Sequence, residues 1–439
     1  MVRASPIVSL MLLLAPSLAE ASNNDDVVAG SDVALTGGAV VANVHTGGAM
    51  WFNPAGVARL DSRSVDLTGA VLSYTTASAP GALSIQSGEQ GAGEFSAVQA
   101  IPRAITFVVS PRPALRWGMG FFFSRSTSGF LQDTVATAPD SSEPSEFFAT
   151  ADKTQSLYHL SGTVAWKRSE KFLLGGGMDI VVASNRETEV FSGGYDGGVQ
   201  GSFSRSLNQA MSGGGLQLKL GIQWAPVKRF RFGWMAATPS YLVYINNATT
   251  VTQTSSPPGQ PSVFEGNQVD QLSGTWSGVE RGLTRVGGAF IDYWGWVEAD
   301  LVVRFPLKTP TLGIDWKTTA DVQVGGVFRI TERLKLGAGF FTDFTPERRL
   351  ERFADTKLNF YGFTLGIDFA NKEAPPERGE DGFYLAFAVV LRYAHGNGEI
   401  LGLQFAPTFP ETTNRPGQLN AVNLKVNEYG INLAVKAAF

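Results

Sequence analysis

A net charge of −4 over 439 residues speaks against a nucleic-acid binder, and zero cysteines exclude a disulfide framework, a thiol nucleophile and a cysteine metal site. Gly 50, aromatics at 11% with Phe 30 against Tyr 10, and only 17% charged residues lean toward β structure rather than charged helices. The mean hydropathy of +0.01 excludes no membrane location, because barrel strands alternate lipid-facing and lumen-facing residues and average near neutral.

In chain order, residues 1–21 read as a signal peptide. Arg3 supplies a positive start, 7–14 is a short apolar core, and Ala19-Glu20-Ala21 has the small-x-small form of a cleavage site. The core is too short for a membrane anchor, and no later segment offers the roughly 18 consecutive apolar residues of a spanning helix. The next segment, 22–62, does not alternate. Its small residues (Gly30, Gly37, Gly38, Gly47, Gly48, Ala49, Ala55, Gly56) suit close packing inside a lumen, and Met50-Trp51-Phe52 argues against a solvated tail.

From 63 to 439 the dominant signal is period-2 alternation. Leu216, Leu218, Leu220, Ile222 and Trp224 face one way, and Gln217, Lys219, Gly221 and Gln223 the other. After the turn Pro226-Val227-Lys228, Phe230, Phe232 and Trp234 oppose Arg229, Arg231 and Gly233, which makes a hairpin. Slipping the first of these strands by one residue would turn Lys219 toward lipid, at a cost of roughly 2–4 kcal/mol at the midplane. Candidate spans are 64–76, 103–111, 114–126, 155–167, 171–187, 207–225, 229–245, 281–293, 295–306, 318–330, 334–345, 357–369, 382–405 and 426–439. The expected fold is therefore an all-β transmembrane antiparallel barrel of about 14 strands with an N-terminal plug; reading 382–405 as two strands, or as one with a broken end, leaves about twelve or sixteen as alternatives. A soluble β-sandwich also alternates. Strands of this length, aromatics at strand ends, and short charged turns on one side against long loops on the other favour the barrel. The last strand places Phe439, Ala437, Val435, Leu433, Ile431 and Tyr429 on the lipid face.

The stretch Ala34-Leu35-Thr36-Gly37-Gly38-Ala39, then Ala49-Met50-Trp51-Phe52-Asn53-Pro54-Ala55-Gly56-Val57-Ala58-Arg59-Leu60, resembles the FadL/TodX family of outer-membrane transporters for long-chain fatty acids and hydrophobic compounds. Its second part looks like the family's hatch motif, an aromatic followed by Asn-Pro-Ala-Gly, which maps onto Asn53, Pro54 and Ala55. The resemblance implies a lumen plugged by residues 22–62. A hydrophobic ligand is captured at extracellular loops, reaches an internal site and leaves through a gap in the wall after the hatch shifts. It further implies a location in the Gram-negative outer membrane, amid its lipid and lipopolysaccharide. A terminal Phe439 resembles the signal read by the barrel-assembly machinery. A plugged barrel needs no second subunit to close its edges, so a monomer is expected.

Lumen-facing Lys219, Arg231, Arg304, Lys335 and Arg392 are candidates to bind a carboxylate headgroup; the competing reading is a salt-bridge network with Glu298, Asp300, Asp321 and Asp368. Phe130, Leu131, Phe147 and Phe148 fall in a long extracellular segment and are candidates for a ligand-capture patch, with packing on the barrel rim as the alternative. Inward glycines (Gly118, Gly120, Gly175, Gly177, Gly221, Gly325, Gly337, Gly339) either make room for a plug or relieve strand curvature. No enzyme chemistry is expected. His45, His159 and His395 lack metal-ligand spacing, Glu298 and Asp300 sit near Arg304 as a charge network, and no glycine cluster ends as a phosphate loop does. No cofactor or metal is implied. A general diffusion porin, or a member adapted to escort or export proteins, remains the alternative.

Overall fold

The computed structural model describes residues 28–60, 63–112, 114–137, 145–195, 201–256, 263–274, 277–310, 314–372, 383–405 and 417–439. Fourteen staves follow in chain order: β1 (Ser64–Ser78), β2 (Glu94–Arg112), β3 (Leu115–Ala136), β4 (Ser145–Ser169), β5 (Phe172–Tyr195) and β6 (Gly201–Val227). Next come β7 (Phe230–Ala237 continuing as Ser240–Ser256) and β8 (Val263–Gly274, Ser277–Glu280 and Leu283–Asp292). The circuit ends with β9 (Gly295–Arg304), β10 (Thr319–Arg329), β11 (Leu334–Asp343), β12 (Thr356–Ala370), β13 (Tyr384–Phe405) and β14 (Gly417–Ala438). Each pairs antiparallel with the next, and β1 pairs with β14 from Ser64–Ala438 to Ser78–Lys425, so the sheet closes on itself. Within the 382–405 span, Tyr384–Phe405 is one strand.

The exterior follows the chemistry of the alternation. Trp117, Leu160, Val164, Leu218, Leu220, Trp224, Leu301, Leu365 and Phe387 are all exposed, and no core on that side explains them. Along β14 the apolar row runs from Phe439 up to Tyr429, which stacks across the seam of closure on Tyr74. At about 3.3 Å per residue and about 40° of tilt this band is about 25 Å tall, the height of an outer-membrane hydrocarbon layer.

Above that band the chemistry inverts while the geometry continues. On β14, Asn427, Lys425 and Asn423 take the outer positions and Val426 and Leu424 turn inward and are buried. The same inversion extends β3 and β4 well beyond their expected ends. It corrects the loop assignment of Phe130, Leu131, Phe147 and Phe148. All four lie on strands, with Leu131 opposite Ala151, Val135 opposite Phe147, and Thr134 opposite Phe148. The Phe130 backbone pairs with Asp152, and its side chain lies outside the described residues. Leu131 and Phe147 point into the barrel and are fully or nearly fully buried. An outer face that meets water and an inner face that meets apolar neighbours erase the lipid-facing pattern, so these segments read as loop in the sequence.

Both ends of the barrel wall, Ser64 and Ala438, lie at the end where the turns are short. The N-terminal segment enters the lumen from there. It forms α1 (Ser31–Thr36), α2 (Ala49–Phe52) and a 3-10 turn (Pro54–Arg59). Gly37 ends α1 in the left-handed conformation (φ 65°), which glycine adopts without steric cost. Nearly all of residues 29–60 are buried.

Candidate functional site

The lumen is layered, and its lowest layer is the N-terminal segment itself. Asn53 caps the 3-10 turn by accepting from the Ala55 amide (3.1 Å), and its Nδ2 donates to the Val41 (2.8 Å) and Ile222 (3.0 Å) carbonyls. The Asn-Pro-Ala motif therefore ties the segment to itself and to β6. Pro54 fits the first helical position because that amide has no helical partner in any case. Wall side chains then hold backbone amides that would otherwise be orphaned in the interior. Asp300 accepts from Val40 (2.8 Å) and Val41 (3.0 Å), Glu298 from Ala42 (2.6 Å), Asp66 from Gly47 (2.9 Å), and Thr68 Oγ1 from Gly30 (2.8 Å). Lys436 donates to the His45 carbonyl (2.9 Å) and Arg116 to that of Leu60 (2.8 Å). The expected network of Glu298 and Asp300 with Arg304 is thus not formed. Both carboxylates clasp residues 40–42, and Arg304 turns to Asp321.

Six of the eight inward glycines abut this segment. A β-carbon at Gly337 would stand 2.5 Å from Leu35 Cβ and one at Gly118 2.7 Å from Met50 Sδ, while Gly175, Gly221, Gly325 and Gly339 would strike Pro54, Asn53, Thr36 and Thr36 respectively. Gly120 and Gly177 do not touch it; their neighbours are Phe122 and Thr163 of the wall.

Above it lies a belt of paired charges. Lys219 lies 2.5 Å from Asp179, Arg304 2.5 Å from Asp321 and Arg392 2.6 Å from Glu428. Lys335, 3.9 Å from Asp368, sits lower, beside the short turn where Asp368 also accepts from Ser31. Arg231 bonds the Asn43 side chain of the N-terminal segment. All five cations expected to hold a headgroup are accordingly engaged within the protein. Arg285 lies over the Phe52 ring at 4.6 Å and Lys219 over Trp51 at 3.8 Å, in the range where a desolvated cation and an aromatic face attract. Two cavities of about 40 Å³ each interrupt this layer, one lined by Trp51, Lys219, Arg285 and Trp316, the other by Phe52, Phe341, Arg304 and Arg392. Each has room for a few water molecules.

The top layer is apolar. Leu83, Ile85, Leu131, Phe147, Phe203, Phe353, Phe360, Leu403 and Phe405 are buried against one another from seven different parts of the chain. Phe147 stacks on Phe405 at 4.3 Å (11° between planes), and Phe353 meets Phe191 edge-on at 5.1 Å. This is where the structure brings two of the four capture candidates, Leu131 and Phe147, together with residues that no sequence pattern groups with them.

The wall itself has a discontinuity beside this top layer. The β2–β3 ladder runs from Arg112–Leu115 to Ala104–Phe122. Beyond it β2 continues on β1 as far as Glu94, and β3 continues on β4 as far as Ala136. Among the described residues no β2–β3 pair forms there. Pro102, which has no amide to donate, sits just past the last pair, next to register shifts on both sides of β1. Phe123–Arg125 of β3 carries a bulge at the same height. The top of this seam is closed where the Gly93 amide meets Asp133 (3.2 Å).

Fold and site together define a closed barrel whose lumen is filled by its own N-terminal segment and whose wall is parted beside an apolar inner lining. Among solved structures the chain is similar to a Pseudomonas aeruginosa FadL homologue (TM-score 0.57, 14% identity, covering 97% of this chain and 99% of that one). It is similar also to the P. putida toluene transporter TodX (0.56, 14%, 93% and 97%) and the CymD monoaromatic hydrocarbon channel (0.55, 13%, 94% and 97%). The resemblance seen in the sequence is therefore borne out at the level of the fold. No protein-family model and no curated protein sequence matches the chain.

Proposed function

We propose that this chain is an outer-membrane transporter for hydrophobic small molecules, with residues 22–62 as its hatch inside a barrel formed by 63–439, after loss of a signal peptide over 1–21. The observation that carries this reading is the conjunction of a filled lumen with a wall seam opening beside an apolar lining. A diffusion pore needs an open channel, and the packing of the N-terminal segment speaks against one. For an apolar cargo the axial route leads through paired buried charges, whereas the lower end of the seam, at Pro102, opens from beneath the Phe147–Phe405 layer at the height of the lipid-facing row. Long-chain fatty acids and hydrocarbons both fit such a route. Because the belt cations are engaged by Asp179, Asp321 and Glu428, affinity rests on the apolar body of the ligand. Leu131 and Phe147 are assigned to ligand capture on the inner lining, and Phe148, which alternates with Phe147, falls on the opposite face of β4; Lys219, Arg231, Arg304, Lys335 and Arg392 hold the lumen together.

The absence of native cysteines makes a direct test simple. A β-carbon at position 118 stands 3.2 Å from Met50 Cγ, within reach of a disulfide. In the Met50→Cys/Gly118→Cys variant, oxidation should stop uptake of a labelled apolar compound and reductant should restore it. Equal uptake in the oxidised form would overturn the hatch. Purified protein that binds neither a labelled hydrocarbon nor a labelled fatty acid would overturn the transport reading.

A further inference from the structure

One buried cluster has no part in the route described above. His159 of β4 is fully buried, with Nδ1 3.1 Å from Asp179 Oδ2 and Nε2 3.1 Å from Glu280 Oε2. Of the two contacts only that of Nδ1 has hydrogen-bond geometry, and Nε2 meets Glu280 at ion-pair distance alone. Ionised carboxylate oxygens only accept, so against two carboxylates a singly protonated ring would set a nitrogen lone pair against one of them, and the imidazolium suits both. Asp179 is shared with the Lys219 ammonium (2.5 Å), which lies 3.8 Å from the Trp51 ring centroid. The imidazole itself meets the same Trp51 edge-on at 4.9 Å. On the other side Glu280 accepts from Ser240 (2.6 Å) and Ser124 (3.2 Å).

The backbone explains how residues so far apart meet. β7 is interrupted at Thr238-Pro239 and β8 at Arg281-Gly282, side by side, and Glu280 sits at that break opposite Ser240. From there it reaches across the lumen to β3 and β4. Ser124 lies in the β3 bulge just beyond Phe122, the last β3 residue to pair with β2. The contacts therefore run without a gap from the lower edge of the wall seam to the aromatic residue beside the Asn53-Pro54-Ala55 motif.

We propose that His159, held as an imidazolium, is a positioning residue that couples the hatch to the wall seam. One nitrogen fixes Asp179 and through it Lys219 over Trp51; the other fixes Glu280 and through it Ser124. This inference rests on the hatch reading. The groups facing the ring are Asp179 from β5, Glu280 from β8, Lys219 from β6, Trp51 from the N-terminal segment and Phe122 opposite it on β3. Loss of the ring proton turns one carboxylate contact repulsive and leaves two buried carboxylates facing one ammonium. The seam and Trp51 are then released together.

Two measurements test this. Imidazole nitrogen shifts, with the His159→Gln variant used for assignment, should show His159 doubly protonated at neutral pH; a neutral single tautomer there would overturn the proposal. In planar bilayers wild-type conductance should rise with pH, His159→Gln should conduct at every pH, and Glu280→Gln should flatten the profile. A chain lacking 28–60 separates the two layers of argument. If that deletion conducts freely while His159→Gln stays as closed as wild type, the coupling is wrong and the hatch stands. If the deletion is as closed as wild type, the hatch itself is wrong. Heat-modifiable migration of each variant confirms a folded barrel, and the nitrogen shifts of the wild-type chain decide the matter if His159→Gln does not fold.

Discussion

Replacing Asp300 by Ala removes the acceptor of two amides, Val40 (2.8 Å) and Val41 (3.0 Å), at a point where both are enclosed by the wall. A buried donor left without a partner costs about 1–3 kcal/mol. Two of them give about 2–6 kcal/mol, and since about 1.4 kcal/mol is a factor of ten, a mid-range value of about 4 loosens the 40–42 turn roughly a thousandfold. The barrel wall is untouched, because the β9 backbone ladder to β8 and β10 does not use the side chain. The assay is amide hydrogen exchange followed by mass spectrometry on the refolded protein. Peptides covering 38–44 should lose protection by that order while peptides from β13 and β14 keep theirs. Both amides bond the same oxygen, so Asp300→Asn keeps that acceptor in uncharged, weaker form and should fall between. If 38–44 exchanges at the wild-type rate in Asp300→Ala, the carboxylate does not hold the segment and the account of the lowest layer is wrong.

Three further outcomes follow from the same geometry. Gly337→Val should expel α1 from its seat against Leu35 and raise bilayer conductance, whereas Gly177→Ala, which faces wall Thr163, should leave it unchanged. Arg304→Ala removes the cation paired with the buried Asp321 carboxylate, which keeps the Phe344 amide at 2.8 Å, and should destabilise the barrel by up to about 3 kcal/mol; Arg304→Met with Asp321→Leu should recover most of that in a urea-unfolding series, which a ligand-binding role would not produce. Phe147→Ala removes the ring stacked on Phe405, so binding of a fluorescent apolar probe should weaken while heat-modifiable migration persists.

All fourteen spans expected from the sequence coincide with staves, and their lipid-facing halves were legible because water, lipid and lumen impose a strict period there. Leu433 and Ile431 face lipid and Asn432 and Ala434 face inward, so each residue type reports its side. Higher up, Leu424 faces inward and Lys425 outward; the apolar residues have changed faces, and a reading tuned to apolar-out alternation breaks off. The plug could be anticipated from small residues and the Asn53-Pro54-Ala55 motif. Its docking partners could not, since Val40 meets Asp300 and Leu35 meets Gly337 across most of the chain length. The inward glycines allowed two readings from sequence, and proximity decides between them position by position. The relay was invisible for a similar reason: His159, Asp179, Lys219 and Glu280 lie on four strands, and each alone looks like a satisfied buried polar residue.

The pairing of every belt cation bears on what the lumen is for. An ion pair taken out of water is at best weakly stabilising, so three of them in one layer are a costly way to fill a barrel that leucines could fill. A leucine-filled belt, however, would be continuous with the Phe147–Phe405 layer above it, and an apolar cargo would partition down the axis as readily as sideways. A belt of buried charges ends the apolar path at the height where the β2–β3 ladder stops. On the proposed reading, cargo that reaches the top layer then leaves by the seam beside Pro102 and Ser124. On this argument the selectivity of the barrel for direction resides in Lys219, Arg304 and Arg392 and their carboxylates, and its affinity resides in the aromatic layer above them.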